Sequence, residues 1–234
     1  MSKFKAISLI TLGSVLVLGT ATTALAAPDP ATSTNKIEFE SGAATPTDPL
    51  DPTNPDNTGT KPVDPSDPNN NGTGNNGPLS IDFVSNIDFG TKKVSPKTEV
   101  YNALNENPYV QVTDTTGEGK GWTLTAAAST FADSTGNKVL KGAELSFLNG
   151  QVKTVSTNVS DAPVANQSLV FSNTDSKEVL KADVNAGKGS WVNVWSGTKD
   201  NNSNVTLKVL AGSAEKAAYT SKVTWTLVAG PTAP

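Results

Sequence analysis

The stretch Gly121-Trp122-Thr123-Leu124-Thr125-Ala126 sets two large apolar side chains two residues apart, with threonines between. In an extended strand, residues i and i+2 face the same way. Trp122 and Leu124 therefore share one face, and the threonines take the other. A second stretch, Val223-Thr224-Trp225-Thr226-Leu227-Val228, repeats the theme. There Trp225 and Leu227 share a face. Period-two alternation of β-branched and aromatic residues predicts half-buried strands.

The pattern continues outward from these two stretches. Leu79, Ile81 and Phe83 alternate with polar residues, and Ile87 and Phe89 do so again before Gly90. So do Tyr109-Val-Gln-Val-Thr113, Leu145-Ser-Phe147, Trp191-Val-Asn-Val-Trp195 and Val205-Thr-Leu-Lys-Val209. Turn residues separate the runs, as in Thr116-Gly-Glu-Gly-Lys-Gly121, Asn149-Gly150, Gly187-Lys-Gly189 and Asp200-Asn-Asn-Ser-Asn204. Helical periodicity is poor, and Ala211 to Ala218 reads as a loop between strands. A parallel sheet needs crossover helices, which the pattern does not supply. The expectation is an all-β domain over residues 79–234, an antiparallel β-sandwich or partly open barrel.

The residues before this domain read differently. Lys3 and Lys5 precede an apolar run from Ile7 to Gly19, and Ala24-Leu25-Ala26 forms an A-x-A cleavage pattern. The run is shorter than the roughly 20 residues of a membrane-spanning helix. Residues 1–26 are expected to be a secretory signal peptide. No Cys follows for a lipid anchor, and the C-terminal residues show neither a hydrophobic tail nor an LPxTG-type signal. The exported chain is thus expected to be neither membrane-inserted nor covalently sorted. Residues 27–78 hold ten of the fifteen prolines, with repeated Asp-Pro and Asn-Pro steps. Eight acidic side chains against Lys36 and Lys61 give this segment a charge of −6. Such composition reads as a disordered acidic linker. Within it, Lys36-Ile-Glu-Phe-Glu40 alternates and is a candidate strand for a sheet edge.

Several chemistries are closed by composition. The chain has no Cys, no His and no Arg; all 18 basic residues are Lys. Zinc sites built on Cys or His, and triads built on His, cannot form. Disulfides and bidentate Arg clamps are likewise out of reach. No Gly-rich phosphate loop opens a helix. Ser196-Gly-Thr-Lys199 matches an S-x-x-K pattern, but it sits in a loop rather than on the helix such sites need. With a net charge of −4 and no basic patch, neither nucleic acid nor an anionic membrane surface is an expected partner. No catalytic group, metal or cofactor is expected, and the chain is read as a non-enzyme.

Two readings of the Trp-x-Leu faces stay open: sandwich core, or a platform for stacking sugars or docking a protein. Trp191, Asn193 and Trp195 share a face of one predicted strand, and two rings flanking an amide also suit a carbohydrate.

Taken together, the motifs carry a resemblance. Tyr109-Val-Gln-Val-Thr-Asp114, a Gly-rich turn, Gly121-Trp-x-Leu124, and a second Trp225-x-Leu227 near the end resemble the WxL domain of surface proteins from low-GC Gram-positive bacteria. A signal peptide and a Pro/Asp/Thr linker ahead of the domain fit the family's usual layout. Family members often carry an Arg shortly after that Asp; here Lys120 holds the basic position of the turn. The resemblance implies a protein of the cell surface, held non-covalently on the cell wall with peptidoglycan or another wall glycan as ligand. It also implies partner surface proteins, namely a membrane-anchored WxL-interacting protein and an LPxTG protein. In that case the chain would be a structural subunit of a multi-protein surface complex, with an adhesion role within reach. By the match, Trp122, Leu124, Trp225 and Leu227 are the motif residues.

Overall fold

The computed structural model describes residues 31–42, 44–57 and 61–230. The expected signal peptide lies outside them. The chain divides into two units, residues 1–38 and 39–234. In the first, residues 31–38 have no regular secondary structure, and Lys36 and Glu38 form an exposed ion pair at 3.7 Å. The alternating run at residues 36–40 forms no strand, and Ile37 and Phe39 stand 76% and 84% exposed.

The second unit is all-β, with three antiparallel four-stranded sheets. Sheet I runs in the order β1 (Leu79–Val84), β3 (Tyr109–Asp114), β10 (Gly189–Val194), β6 (Gln151–Lys153). Sheet II runs β2 (Glu99–Ala103), β11 (Asn202–Val209), β5 (Glu144–Leu148), β8 (Ser168–Phe171). Sheet III runs β12 (Val223–Ala229), β4 (Trp122–Ala128), β9 (Lys177–Ala182), β7 (Val164–Ala165). All three feed one core. Val110, Val112, Trp191 and Trp195 enter from sheet I or its end. Leu145, Phe147 and Val205 enter from sheet II, and Trp122, Leu124 and Leu180 from sheet III. The predicted sandwich class is observed, and each alternating run from residue 79 onward contributes a strand except Ile87–Phe89, which lies in the stretch without regular structure after β1.

Two bulges explain where the alternation misleads. Ile81 pairs with Val112 but Phe83 pairs with Gln111, so Asp82 is an extra residue in β1. A bulge bends the strand and resets its faces. Leu79 and Ile81 pack on the central core, whereas Phe83 turns to the opposite face and stacks on Tyr109 at 4.2 Å. In sheet III, Leu124 pairs with Leu180 and Thr125 with Glu178, leaving Val179 extra. Val179 and Leu180 are both fully buried, so β9 never shows a clean period of two.

Sheet I is covered on its outer face as well, which is why all six residues of β3 are buried. The cover comes from the Pro/Asp segment. Leu50 packs on Phe83, Tyr109, Val192 and Val194, and Pro52 and Pro55 are buried beside it. The Gln111 side chain acts as a short surrogate strand. Its Oε1 accepts from the Leu50 N–H at 2.7 Å, and its Nε2 donates to the Asp48 carbonyl at 3.2 Å. Ser156 N–H to Asp56 at 2.8 Å and Lys153 Nζ to the Thr53 carbonyl at 3.3 Å pin the far end. Further along, Asn105 donates to Asp64, and Asn86 donates to Asp67 through both its N–H and its side chain. The segment read as a free linker thus lacks strands, as its prolines require, yet residues 48–57 are strapped to the domain. The compact unit spans Phe39–Pro234.

Candidate functional site

The two Trp-x-Leu motifs lie side by side. β4 and β12 pair from Val223↔Ala128 to Ala229↔Trp122 without a register shift, so Leu124 and Leu227 stand directly opposite. Their surroundings differ completely. β4 is the inner strand of sheet III and β12 is its edge.

Trp122 and Leu124 are fully buried. The Trp122 Nε1–H donates to the Gly187 carbonyl at 3.1 Å, which satisfies the ring's polar atom inside the core. Local sequence enforces this. Gly121 has φ +72°, and a Cβ there would fall 2.3 Å from the Ala182 carbonyl oxygen. Only glycine tolerates both the dihedral and the approach. Gly-Trp is thus a packing device that seats the ring against β9.

The other predicted residues mostly follow Trp122 inward. Trp191 is 4% exposed and donates its Nε1–H to the Lys188 carbonyl at 3.0 Å. Asn193 and Trp195 are buried, and neither the Asn193 amide nor the Trp195 Nε1 finds a partner among the described residues. Nothing in the structure accounts for that unpaired amide. Tyr109 is buried under the strap, where burial and the negative charge of Asp51 hold its phenol well above the ordinary range. Trp191, Asn193 and Trp195 do share a face, as the alternation requires, but that face is core.

Trp225 and Leu227 remain. Both are half-buried and pack on the rim of the core, with the Trp225 ring 6.4 Å from that of Trp195. Trp225 forms one wall of a groove of about 640 Å³. Phe89, Tyr101, Phe131 and Tyr219 supply further rings to it. Polar groups stand among them: Asp88, Lys92, Lys93, Glu215 and Ser221. The Lys92 ammonium sits 5.7 Å from the Tyr101 ring centroid, close enough for cation–π attraction. A concave site of this size, in which aromatic and aliphatic side chains stand among polar groups, can hold a ligand.

The groove joins residues far apart in sequence. The stretch after β1 gives Phe89 and the two lysines, β2 gives Tyr101, and the loop before β12 gives Tyr219. Except for Trp225, the sequence reading named none of them as site residues. Phe89 did appear as an apolar alternation, but nothing in its spacing links it to Tyr101 or Tyr219.

Among the described residues, no group of three or more His, Cys, Asp or Glu is placed to hold a metal ion. Asp82, at the β1 bulge, is a buried carboxylate with a raised pKa. Burial raises it, against hydrogen bonds from Ser80 Oγ (2.5 Å), Thr113 Oγ1 (2.6 Å) and Gln111 Nε2 (2.9 Å). It lies beneath the strap, on the outer face of sheet I, and is not a lining residue of the groove.

No curated protein and no solved structure matches the chain. A family model does, that of the WxL domain, described as surface cell wall-binding, and its match runs over residues 26–231. That span includes the Pro/Asp strap together with all twelve strands. With both Trp-x-Leu motifs paired in one sheet and nearly the whole chain matched, the protein belongs to the WxL domain family of surface cell wall-binding proteins.

Proposed function

We propose that the chain is exported and binds the glycan of the cell wall in the groove beside Trp225, as a retention module without turnover. The observation that carries this reading is the half-buried Trp225 in a groove with five further aromatic side chains, while the other three tryptophans are buried. Sugar rings present C–H faces that pack on aromatic rings, and their hydroxyl and acetamido groups hydrogen-bond to polar neighbours. Lys92 and Lys93 suit the carboxylates that a peptidoglycan carries on its stem peptides. A second reading, a structural subunit docking partner proteins, is favoured by the edge of β12, to which no strand among the described residues is hydrogen-bonded.

Co-sedimentation with purified peptidoglycan tests the first reading. The full chain should pellet, and Trp225→Ala should lose about tenfold or more in affinity, at least ~1.4 kcal/mol. Trp122→Ala should instead lower stability by about 3–5 kcal/mol, as for a buried large-to-small change. A full chain that stays in the supernatant, or a Trp225→Ala variant that pellets unchanged, overturns the proposal.

A further inference from the structure

The edge of sheet III at β12 differs from every other sheet edge in the described residues. Exposed edges invite pairing with another chain, and proteins blunt them with short strands, charges, proline, bulges or covers. Here β7 has two residues, β6 three and β8 four. β2 begins with Glu99 and is irregular against β11. β1 is bulged, and Thr73 covers its edge by donating its N–H to the Asp82 carbonyl at 2.8 Å and its Oγ1 to the Ile81 carbonyl at 2.6 Å. β12 has none of these devices. Its seven residues, Val-Thr-Trp-Thr-Leu-Val-Ala, carry no charge and no proline and run straight.

The register shows which backbone groups lie open. The Ser129 N–H bonds to the Lys222 carbonyl, and the Gly230 N–H to the Gly121 carbonyl, both at 2.8 Å. Bonded pairs alternate along an antiparallel ladder. The even-numbered residues, from Lys222 to Gly230, therefore turn their N–H and C=O toward β4. Val223, Trp225, Leu227 and Ala229 turn theirs outward, and among the described residues no strand is hydrogen-bonded to them. Of these residues, Val223, Trp225 and Leu227 are half-buried and Ala229 is exposed. Trp225 borders the aromatic groove, and Leu227 borders a cleft with Leu79 and Ile81.

One segment of the chain has the complementary form. Lys36-Ile37-Glu38-Phe39-Glu40 has no regular secondary structure, and among the described residues its large apolar side chains Ile37 and Phe39 are exposed. They are spaced two residues apart, as Trp225 and Leu227 are, so an added strand would carry both apolar groups on one face. Its other face would carry Glu38 and Glu40. On that face of sheet III stands the exposed Lys222, which directly precedes β12 and is opposite in sign to the two glutamates.

We infer that residues 36–40 of one copy add as a fifth strand to the β12 edge of a second copy. The interface is heterologous, donor segment to acceptor edge, and each copy offers both halves. Repetition therefore builds a head-to-tail series or a closed ring. Backbone hydrogen bonds supply affinity in such strand addition, and the alternate side chains set the register. The inference does not depend on glycan binding, and the two fail separately.

Sedimentation equilibrium of the full chain over a range of concentrations is the test. The weight-average mass should rise with concentration above that of one chain. Ile37→Asp/Phe39→Asp, which changes only exposed residues, should weaken association about tenfold or more while peptidoglycan co-sedimentation persists. Val223→Pro should weaken it as well. It removes one outward N–H at the first residue of β12, where proline is tolerated. A circular dichroism spectrum unchanged from the parent controls for folding. A single-chain mass at every concentration overturns the inference, whether the edge stays empty or is filled within one copy. Association that survives the double aspartate variant overturns it too, because the occupant is then another surface.

Discussion

The same three residues, Trp-Thr-Leu, do two different jobs because of what lies beyond their strands. Trp122 has β9 on its far side and a glycine that lets the backbone close on it. Trp225 has an open edge and a groove. Period-two alternation established that each Trp-Leu pair shares a face, and both do. It does not encode which strand is central, so the sequence favoured core over platform for both pairs alike and could not tell them apart. Asp82 was beyond the pattern for a related reason. A carboxylate two residues from Ser80 reads as the solvent side of a strand, whereas the bulge buries it against Gln111 and Thr113. Its raised folded pKa has a signed consequence. Above the unfolded value of 3.8 and below the raised folded value, the native state binds the extra proton. Stability therefore falls as pH rises through that window, and the cost is complete above it. Urea denaturation of the parent and Asp82→Asn between about pH 3 and pH 7 checks this. The parent should lose stability relative to the variant as pH rises, and a constant difference between the two would contradict the assignment.

At the scale of elements, long alternating runs were legible and short or bulged ones were not. β3, β4, β10, β11 and β12 follow from their sequences. β9 does not, because Val179 and Leu180 are buried in succession around a bulge. β6 and β7 are too short to show any period. The strap is the larger lesson. Its proline and acid content forbids regular strands, and that much was readable. The aspartates are also specific hydrogen-bond acceptors, and composition cannot show that. Asp51 accepts from the N–H groups of Thr53 and Asn54, shaping a turn, while Asp56, Asp64 and Asp67 clip the segment onto the domain. Gln111, a polar residue in the middle of a buried strand, is the partner that ties strap to sheet. Gln111→Ala should leave the Leu50 N–H and the Asp48 carbonyl without their partner and cost about 1–3 kcal/mol. Limited proteolysis reads the same event locally. Cleavage within residues 48–57 should accelerate in the variant before the sheets open, and an unchanged cleavage rate there would show that the strap is held otherwise.

The whole molecule places packing and recognition at opposite ends of one idea. Three sheets share a core in which Trp122, Trp191 and Trp195 are buried, and the fourth tryptophan marks the rim where wall binding is proposed. Fold class and family could be read from the two motifs and their lead-in. The groove could not, since it assembles Phe89, Tyr101, Phe131 and Tyr219 from four separate segments around Trp225. That arrangement makes the protein its own reporter. With three tryptophans buried, collisional quenching of the full chain by acrylamide is dominated by Trp225. Quenching should fall as soluble peptidoglycan fragments are titrated in, with an emission shift to shorter wavelength, and both changes should vanish in Trp225→Ala. Fragments that bind while the accessibility of Trp225 stays constant would place the glycan elsewhere and contradict the account.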